Sequence, residues 1–265
     1  MMRGVLLAGG TGSRMGELTR AVHKSLLPLG SVPLISHALK KLTSAGIADV
    51  LVVTSAEGVG PMAQLLGSGE RCFCRLTYRV QDAPGGIAQA LLLAEDFVGK
   101  DCCAVILGDN VFHDPLPALF DDPDRRAWVA LSRVPDPWRY GVATLDGDSG
   151  RLTKIVEKPH EPESNLAVTG IYSYPPSVFG VIRTLKPSGR GELEITDVNN
   201  HYVHAGLLEY VTLPDWWIDA GTPETFASMR QTPETSFGRV LLHTTQLAAE
   251  IAAQDSECVL GTGYV

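Results

Sequence analysis

Cysteine is scarce in this 265-residue chain, and its five (Cys72, Cys74, Cys102, Cys103 and Cys258) are odd in number with no C-x-x-C pair among them. That pattern excludes a disulfide framework and a zinc ribbon, and it fits thiols used as small buried hydrophobes in a reducing cytoplasm. Long apolar runs are absent as well. Glycines interrupt the opening MMRGVLLAGG, so it reads as neither signal peptide nor membrane span, and no later stretch is long enough to cross a bilayer. Positive charge is in deficit: 22 Lys and Arg against 30 Asp and Glu give a net charge of -8. Duplex binding asks for a broad basic face, so nucleic acid is not expected as a partner, and nor is a membrane. A chain of this sign still holds anions where it places a few cations, or metal on its own carboxylates. No repeat, low-complexity tract or flexible linker is present. The expectation is a soluble, cytoplasmic protein.

With 45% hydrophobic residues the chain can bury a full core in one large domain or two fused halves. In the first half, β-branched apolar runs at 4–8, 50–54, 76–80 and 102–107 alternate with helical patterns, which signals parallel strands joined by helices. LISHALKKLTSAG has apolar residues at helical spacing and closes on Gly46, and GGIAQALLLAEDF predicts a helix just after Gly85 and Gly86. In the second half RAWVALSRV, RYGVATLD, LTKIVEK and NLAVTGIYSY predict strands. SVFGVIRTL and EITDVNNHYVHAG predict helices, the latter opening after a Thr or Asp cap. Turn-rich stretches fall at 121–124, 146–150 and 159–164. The pattern predicts an α/β, doubly wound sheet with a second lobe built onto it.

The stretch VLLAGGTGSRMGELT, residues 5–19, runs an apolar strand straight into glycines and a lone arginine. Bare backbone after a strand suits phosphate, because peptide N–H groups favour an anion. The dinucleotide fingerprint is missing: Gly10 and Gly12 give G-x-G, but Met15 stands where the third glycine belongs. No Gly-Lys-Ser/Thr follows, which excludes a P-loop. What remains is G-G-x-G-x-R with Lys24 ten residues beyond Arg14, a phosphate cradle or a turn carrying two surface cations.

Taken together, V-L-L-A-G-G-x-G-x-R, K-x-L-L-P, L-G-D-N, E-K-P and W-x-D-x-G, in this order from Arg3 to Phe226, resemble the sugar nucleotidyltransferases. The stretches QDAPGGIAQA (81–90) and RGELEITD (190–197) are most similar to the bacterial glucose-1-phosphate thymidylyltransferase branch, while Ser13 and Met15 replace the usual Thr and Leu. The resemblance implies a doubly wound, mixed but mostly parallel Rossmann-like sheet with an added sugar-binding lobe. It implies a nucleotidyltransferase domain over residues 1–226, its nucleotide part about 1–115 and its sugar-phosphate part about 116–226. The tail, 227–265, looks helical but does not match the family's. Also implied are transfer of a nucleotidyl group from dTTP to glucose 1-phosphate with release of pyrophosphate, Mg²⁺ as cofactor, and a homo-oligomer, dimer or tetramer.

The nucleophile in that reaction is already an anion, so no Ser/His/Asp triad is needed, and none is evident. The task is to bring two polyanions together and stabilise the leaving charge. Arg14, a planar fork of donors, suits a triphosphate lying over Gly9, Gly10 and Gly12, and Lys24 reaches the same phosphates as a point charge. Asp109 follows the apolar strand CCAVILG at the end where ligands of open α/β sheets collect, and Asp219 lies in WWIDAG. By resemblance these two hold Mg²⁺, an oxygen-only pairing that suits the ion. Gln81 offers a donor and an acceptor to a thymine or uracil edge, or merely begins a loop. Gly86, by resemblance, leaves space for the base and supplies main-chain contacts. One methyl group is worth only about 1 to 3 kcal/mol in an apolar pocket, so dTTP is favoured with UTP tolerated.

For the sugar phosphate, Glu157 supplies an acceptor for hydroxyls and Lys158 a cation, with Arg190 a second cation. Asn110, Tyr140, Gly141, Thr169 and Gly170 fall in the family's sugar-pocket segments, and Trp216 or Trp217 walls the site or packs the core. Arg14, Lys24, Asp109 and Lys158 are the residues expected to act in catalysis. Glu192 and Glu194 read as structural, and His201 and His204 as surface residues. Two other readings stand beside this one: a silent nucleotide-sugar binder on the same fold, and transfer of another nucleotide to a different sugar or cyclitol phosphate. A dinucleotide redox enzyme is opposed by the failed fingerprint.

Overall fold

The computed structural model describes residues 1–10, 22–29, 32–116 and 126–231, with side chains as far as 227. Gly12, Ser13, Arg14, Met15, the turn at 121–124, Cys258 and the tail beyond 231 lie outside these residues.

The chain opens on β1 (Met2–Ala8) and a two-residue ladder, β2 (Pro28–Leu29) with β3 (Val32–Pro33), that leads into α1 (Leu34–Ser44). Then come β4 (Asp49–Thr54), α2 (Ala56–Leu66), β5 (Arg75–Val80), α3 (Ile87–Leu92), α4 (Glu95–Val98) and β6 (Cys102–Leu107). The second half holds β7 (Asn110–Phe112), β8 (Ala127–Arg133), β9 (Gly141–Leu145), β10 (Leu152–Glu157) and β11 (Leu166–Tyr174). It continues through α5 (Val178–Thr184), α6 (Ile195–His204), β12 (Leu208–Thr212), β13 (Trp217–Asp219) and α7 (Pro223–Gln231).

One nine-stranded sheet runs in the order β10-β9-β11-β6-β1-β4-β5, with β8 joining β11 to β12. The first-half strands β6, β1, β4 and β5 are parallel, as helix crossovers require, and β11 joins β6 antiparallel. The mixed, mostly parallel α/β sheet read from the sequence is thus present. Alternation along the strands divides the core. Val5, Leu7, Leu51, Val53 and Val105 face α3, α5 and α6, whereas Leu6, Val50, Val52 and Ile106 face α1 and α2. A smaller core of Leu27, Leu29, Leu34, Val111, Ala220 and Phe226 sits beneath the antiparallel ribbon of β7 and β13. Among the described residues no helix is long and apolar enough to cross a membrane.

Several elements differ from the sequence reading, among them the following. Gly58, Gly60 and Pro61 look like breakers, yet α2 forms, because the Ser55 hydroxyl accepts from the Gly58 N–H at 3.3 Å and Met62 and Leu66 bury against the sheet. The helix expected after Gly86 breaks at Leu93 and Ala94, where the Ala94 N–H turns back to the Leu91 carbonyl at 2.9 Å, and resumes as α4. Neither Thr196 nor an Asp caps α6. Glu194 stands at that position, and its carboxylate accepts from Ser188 and Arg190 instead. The strand β12 was not foreseen; it is short and half-exposed, and it exists through pairing with β8.

Candidate active site

The carboxyl ends of β1 and β6, together with the turn after β5, open onto one cleft of about 610 Å³. Every described residue assigned to the site from sequence lines it: Gly9, Gly10, Lys24, Gln81, Gly86, Asp109 and Asn110 from the first part, Tyr140, Gly141, Glu157, Lys158, Thr169, Gly170, Arg190, Trp217 and Asp219 from the second. Gly12 and Arg14 fall outside the described residues.

At the strand ends, Asp109 follows β6 and forms an ion pair with Lys24, whose side chain is only 11% exposed. Burial alone would push the Asp109 carboxyl up. The Lys24 ammonium and hydrogen bonds from Lys24 and Asn110 outweigh it and hold the acid below its ordinary range, so it is a carboxylate at neutral pH. His23, beside Lys24, is pushed down by burial and then by the lysine charge, so the neighbouring imidazole stays neutral. Asp219 reaches this spot from the far end of the sequence. Strand β13 pairs β7 with Asp219 opposite Asn110, and the Ala220 N–H donates to the Asp109 carbonyl at 2.9 Å. The two acids therefore flank a single backbone pairing and line one wall.

On the opposite side, Gln81 is buried and its amide Nε2 donates to Gln89 and, at 3.4 Å, to the Gly86 carbonyl. Gly9 has no side chain because the Gln81 Oε1 lies where its Cβ would be. Gly86 lines the cleft at φ +94°, and a Cβ there would stand 2.5 Å from the Leu193 carbonyl, so no side chain fits at this position. With Leu193 N–H donating to the Gly85 carbonyl at 2.8 Å and Ala88 N–H to the Leu193 carbonyl at 3.2 Å, this glycine turn straps the two parts of the site together.

The second part is a charge network. Glu157, at the end of β10, accepts from Thr196 at 2.7 Å and pairs with Lys158 at 3.4 Å and Arg190 at 3.5 Å. Arg190 also binds both oxygens of Glu194 at 2.9 Å and approaches Glu192 at 3.6 Å. Arg190, the second cation expected for the sugar phosphate, thus faces three carboxylates. Lys158 takes a left-handed backbone (φ +44°), uncommon outside glycine, with its N–H on the Tyr140 carbonyl at 2.9 Å. Tyr140 packs edge-on to Trp217 at 5.1 Å, and burial pushes its hydroxyl up to about 12, so it remains a donor. Trp217 is buried and lines the cleft, whereas Trp216 packs against the small core.

Two expected sugar ligands have their side chains engaged elsewhere. The Thr169 hydroxyl is fully buried and donates to the Ala130 carbonyl at 2.9 Å, and Asn110 makes three internal hydrogen bonds. Sequence reading missed Arg139, Tyr172 and Thr196, which also line the cleft. Arg139 is held by Asp136 at 2.7 Å and lies over the Tyr140 ring, a position reachable from sequence only by noticing that it precedes Tyr140. His201 and His204 are exposed, as expected.

Could such a wall hold a metal ion? Among the described residues no group of three or more His, Cys, Asp or Glu is arranged to do so. Two oxygen donors on one wall suit an ion that completes its shell with water and substrate phosphates, as Mg²⁺ does. The spot at Asp109 already accommodates a positive charge, that of Lys24.

Residues 3–236 match the Nucleotidyl transferase family. The chain is 39% identical over 234 residues to a low-salt glycan biosynthesis nucleotidyltransferase of Haloferax volcanii, spanning 87% of this chain and 65% of that protein's length. It is 41% identical over 230 residues to a glucose-1-phosphate thymidylyltransferase of Xanthomonas campestris, covering 84% of this chain and 77% of the relative. A crystal structure from Bacillus anthracis, described as a glucose-1-phosphate thymidylyltransferase in complex with a sucrose, superposes with a TM-score of 0.83 at 47% identity. It covers 87% of this chain and 94% of that one.

Proposed function

Because the chain belongs to the nucleotidyl transferase family, we propose that it joins a nucleoside triphosphate to a sugar 1-phosphate, with dTTP and glucose 1-phosphate as the preferred pair and UTP tolerated. The observation that carries this reading is that Asp109 and Asp219 lie beside one backbone pairing in a cleft that Lys24, Lys158 and Arg190 also line.

The triphosphate lies over Gly9 and Gly10, with Lys24 at its phosphates and Arg14 completing the cradle. A sugar 1-phosphate oxygen attacks the α-phosphorus in line, the bond to the bridging oxygen breaks, and pyrophosphate leaves with that electron pair. No proton need be removed from the attacking oxygen. Lys158 and Arg190 hold the sugar phosphate, and Glu157 accepts from sugar hydroxyls. Asp109 and Asp219 would hold a divalent cation, Mg²⁺ in this reading, which when bound neutralises charge shared by the two reactants. The Gly86–Leu193 contact straps the two binding parts together, which favours holding both reactants side by side.

The test is a product screen of dTTP, UTP, ATP, CTP and GTP against glucose, galactose, mannose and myo-inositol 1-phosphates. Formation of dTDP-glucose at the highest kcat/KM supports the reading. Preference for another pair keeps the reaction class and overturns the substrates; binding of dTDP-glucose without turnover of any pair overturns catalysis.

A further inference from the structure

Asn110 follows Asp109 and faces Asp219 across the β7–β13 pairing, and every polar valence of its amide that the structure accounts for is turned inward. It is 2% exposed. Its Nδ2 donates to Asp109 Oδ1 at 2.9 Å. Its Oδ1 accepts from the Gly170 N–H at 2.9 Å and from the Trp217 indole Nε1–H at 2.6 Å.

The three partners come from three separate stretches of chain, two at the large sheet and one in the β7–β13 ribbon. Asp109 follows β6, Gly170 sits in the irregularity of β11 between Val168 and Tyr172, and Trp217 opens β13 two residues before Asp219. At that irregularity the β11 backbone is freed from its neighbours, so the Gly170 N–H is available to a side chain. Glycine is required there, because a Cβ would stand 2.6 Å from the Asn110 Oδ1 and 2.7 Å from Leu107. A group already committed to three protein partners in a buried setting has little left to offer a sugar hydroxyl. What it does instead is fix one carboxylate directly and the strand carrying the other through the indole.

We propose that Asn110 is a positioning residue, not a sugar ligand: one amide locks the Asp109 carboxylate, the β11 irregularity and β13 in register, so that Asp109 and Asp219 are presented together to a divalent cation. The inference rests on the proposed metal pair. Partners that orient a metal-holding carboxylate characteristically change metal affinity by about 10- to 100-fold when removed.

The experiment measures Mn²⁺ binding to the purified full chain by electron paramagnetic resonance, without nucleotide, alongside KM for glucose 1-phosphate. It compares wild type, Asn110→Ser, Trp217→Phe, Gly170→Ala and the Asn110→Ser/Trp217→Phe double variant. The expected result is Mn²⁺ affinity weakened about 10-fold or more in Asn110→Ser, and likewise in Gly170→Ala, which removes no side chain but displaces the amide. Trp217→Phe weakens it less, and the double variant falls short of the combined single effects, because both act through one contact. Near-UV circular dichroism identifies any variant that does not fold, and Trp217→Phe, the mildest change, carries the test if the others fail. Wild-type Mn²⁺ affinity with a raised sugar-phosphate KM in the folded variants overturns the inference and restores a ligand role. No Mn²⁺ bound by wild type overturns the metal pair itself, and the inference with it.

Discussion

At the scale of single residues, the site depends on charges held close to charges. Lys24 keeps Asp109 ionised in a setting where burial would otherwise favour the neutral acid. Asp109→Asn leaves Lys24 beside a neutral amide and takes one oxygen anion from the wall; Asp219→Asn takes the other. Each is expected to lower kcat by about 100-fold or more, the scale of losing one electrostatic partner of a reacting phosphate, in a protein whose near-UV circular dichroism remains that of the folded chain. A near-normal steady-state rate in either variant removes that residue from the metal wall. The sequence made these two acids findable only through motifs. Asp109 and Asp219 are 110 positions apart, and nothing in their local spacing shows that an antiparallel ribbon brings them together.

At the scale of elements, strands were the most legible part of the chain, because a run such as VLLA must be buried on both faces and only a parallel sheet covered by helices offers that. The helix α1 was legible too, through Ile35, Ala38, Leu39 and Leu42 on one face and Gly46 at φ +78° beyond its end. The helix α2 was not, because its breakers act at the level of local propensity whereas Met62 and Leu66 act through tertiary burial. The role of Gly86 was also hidden, since the Leu193 carbonyl that excludes a side chain comes from more than a hundred residues away. Gly86→Ala should cost about 1–3 kcal/mol in urea unfolding and reduce kcat/KM, by forcing apart the strap between the two parts of the site. An unchanged midpoint and unchanged kinetics would show that the strap is dispensable.

Helix α1 also carries a pH signature. Burial, aided by Lys40 and Lys41, pushes His37 down to about 4, and its Nε2 has no partner among the described residues. A base whose folded pKa lies below its unfolded value leaves the unfolded chain binding more protons between the two. Stability is then full above pH 6.5 and declines as pH falls toward 4, by at most about 3 kcal/mol from this residue. His37→Leu should flatten that part of the melting-temperature profile; an equally steep decline would place the acid sensitivity elsewhere.

Over the whole molecule, the described walls of the cleft carry Lys24, Arg139, Lys158 and Arg190 against Asp109, Glu157, Glu192, Glu194 and Asp219. Acids outnumber bases among these described residues, and Arg14 would only bring the two to equal numbers, on a surface proposed to receive two polyanions in a chain that carries -8. Such a cleft calls for added positive charge, which is why a divalent cation belongs in the account. Treatment with EDTA should therefore stop turnover completely, and Mg²⁺ in excess of the chelator should restore it while leaving the melting profile of the free protein nearly unchanged. Composition could not reveal how the pieces of the cleft converge. That took the pairing of β11 with β6 and of β13 with β7.

The most direct measurement is pyrophosphate release by the purified chain from dTTP, glucose 1-phosphate and Mg²⁺, with each component left out in turn. The account predicts release, matched one to one by dTDP-glucose, only when all three are present. Equal release from dTTP and Mg²⁺ without the sugar phosphate would contradict it, because the cleft would then be passing the nucleotidyl group to water.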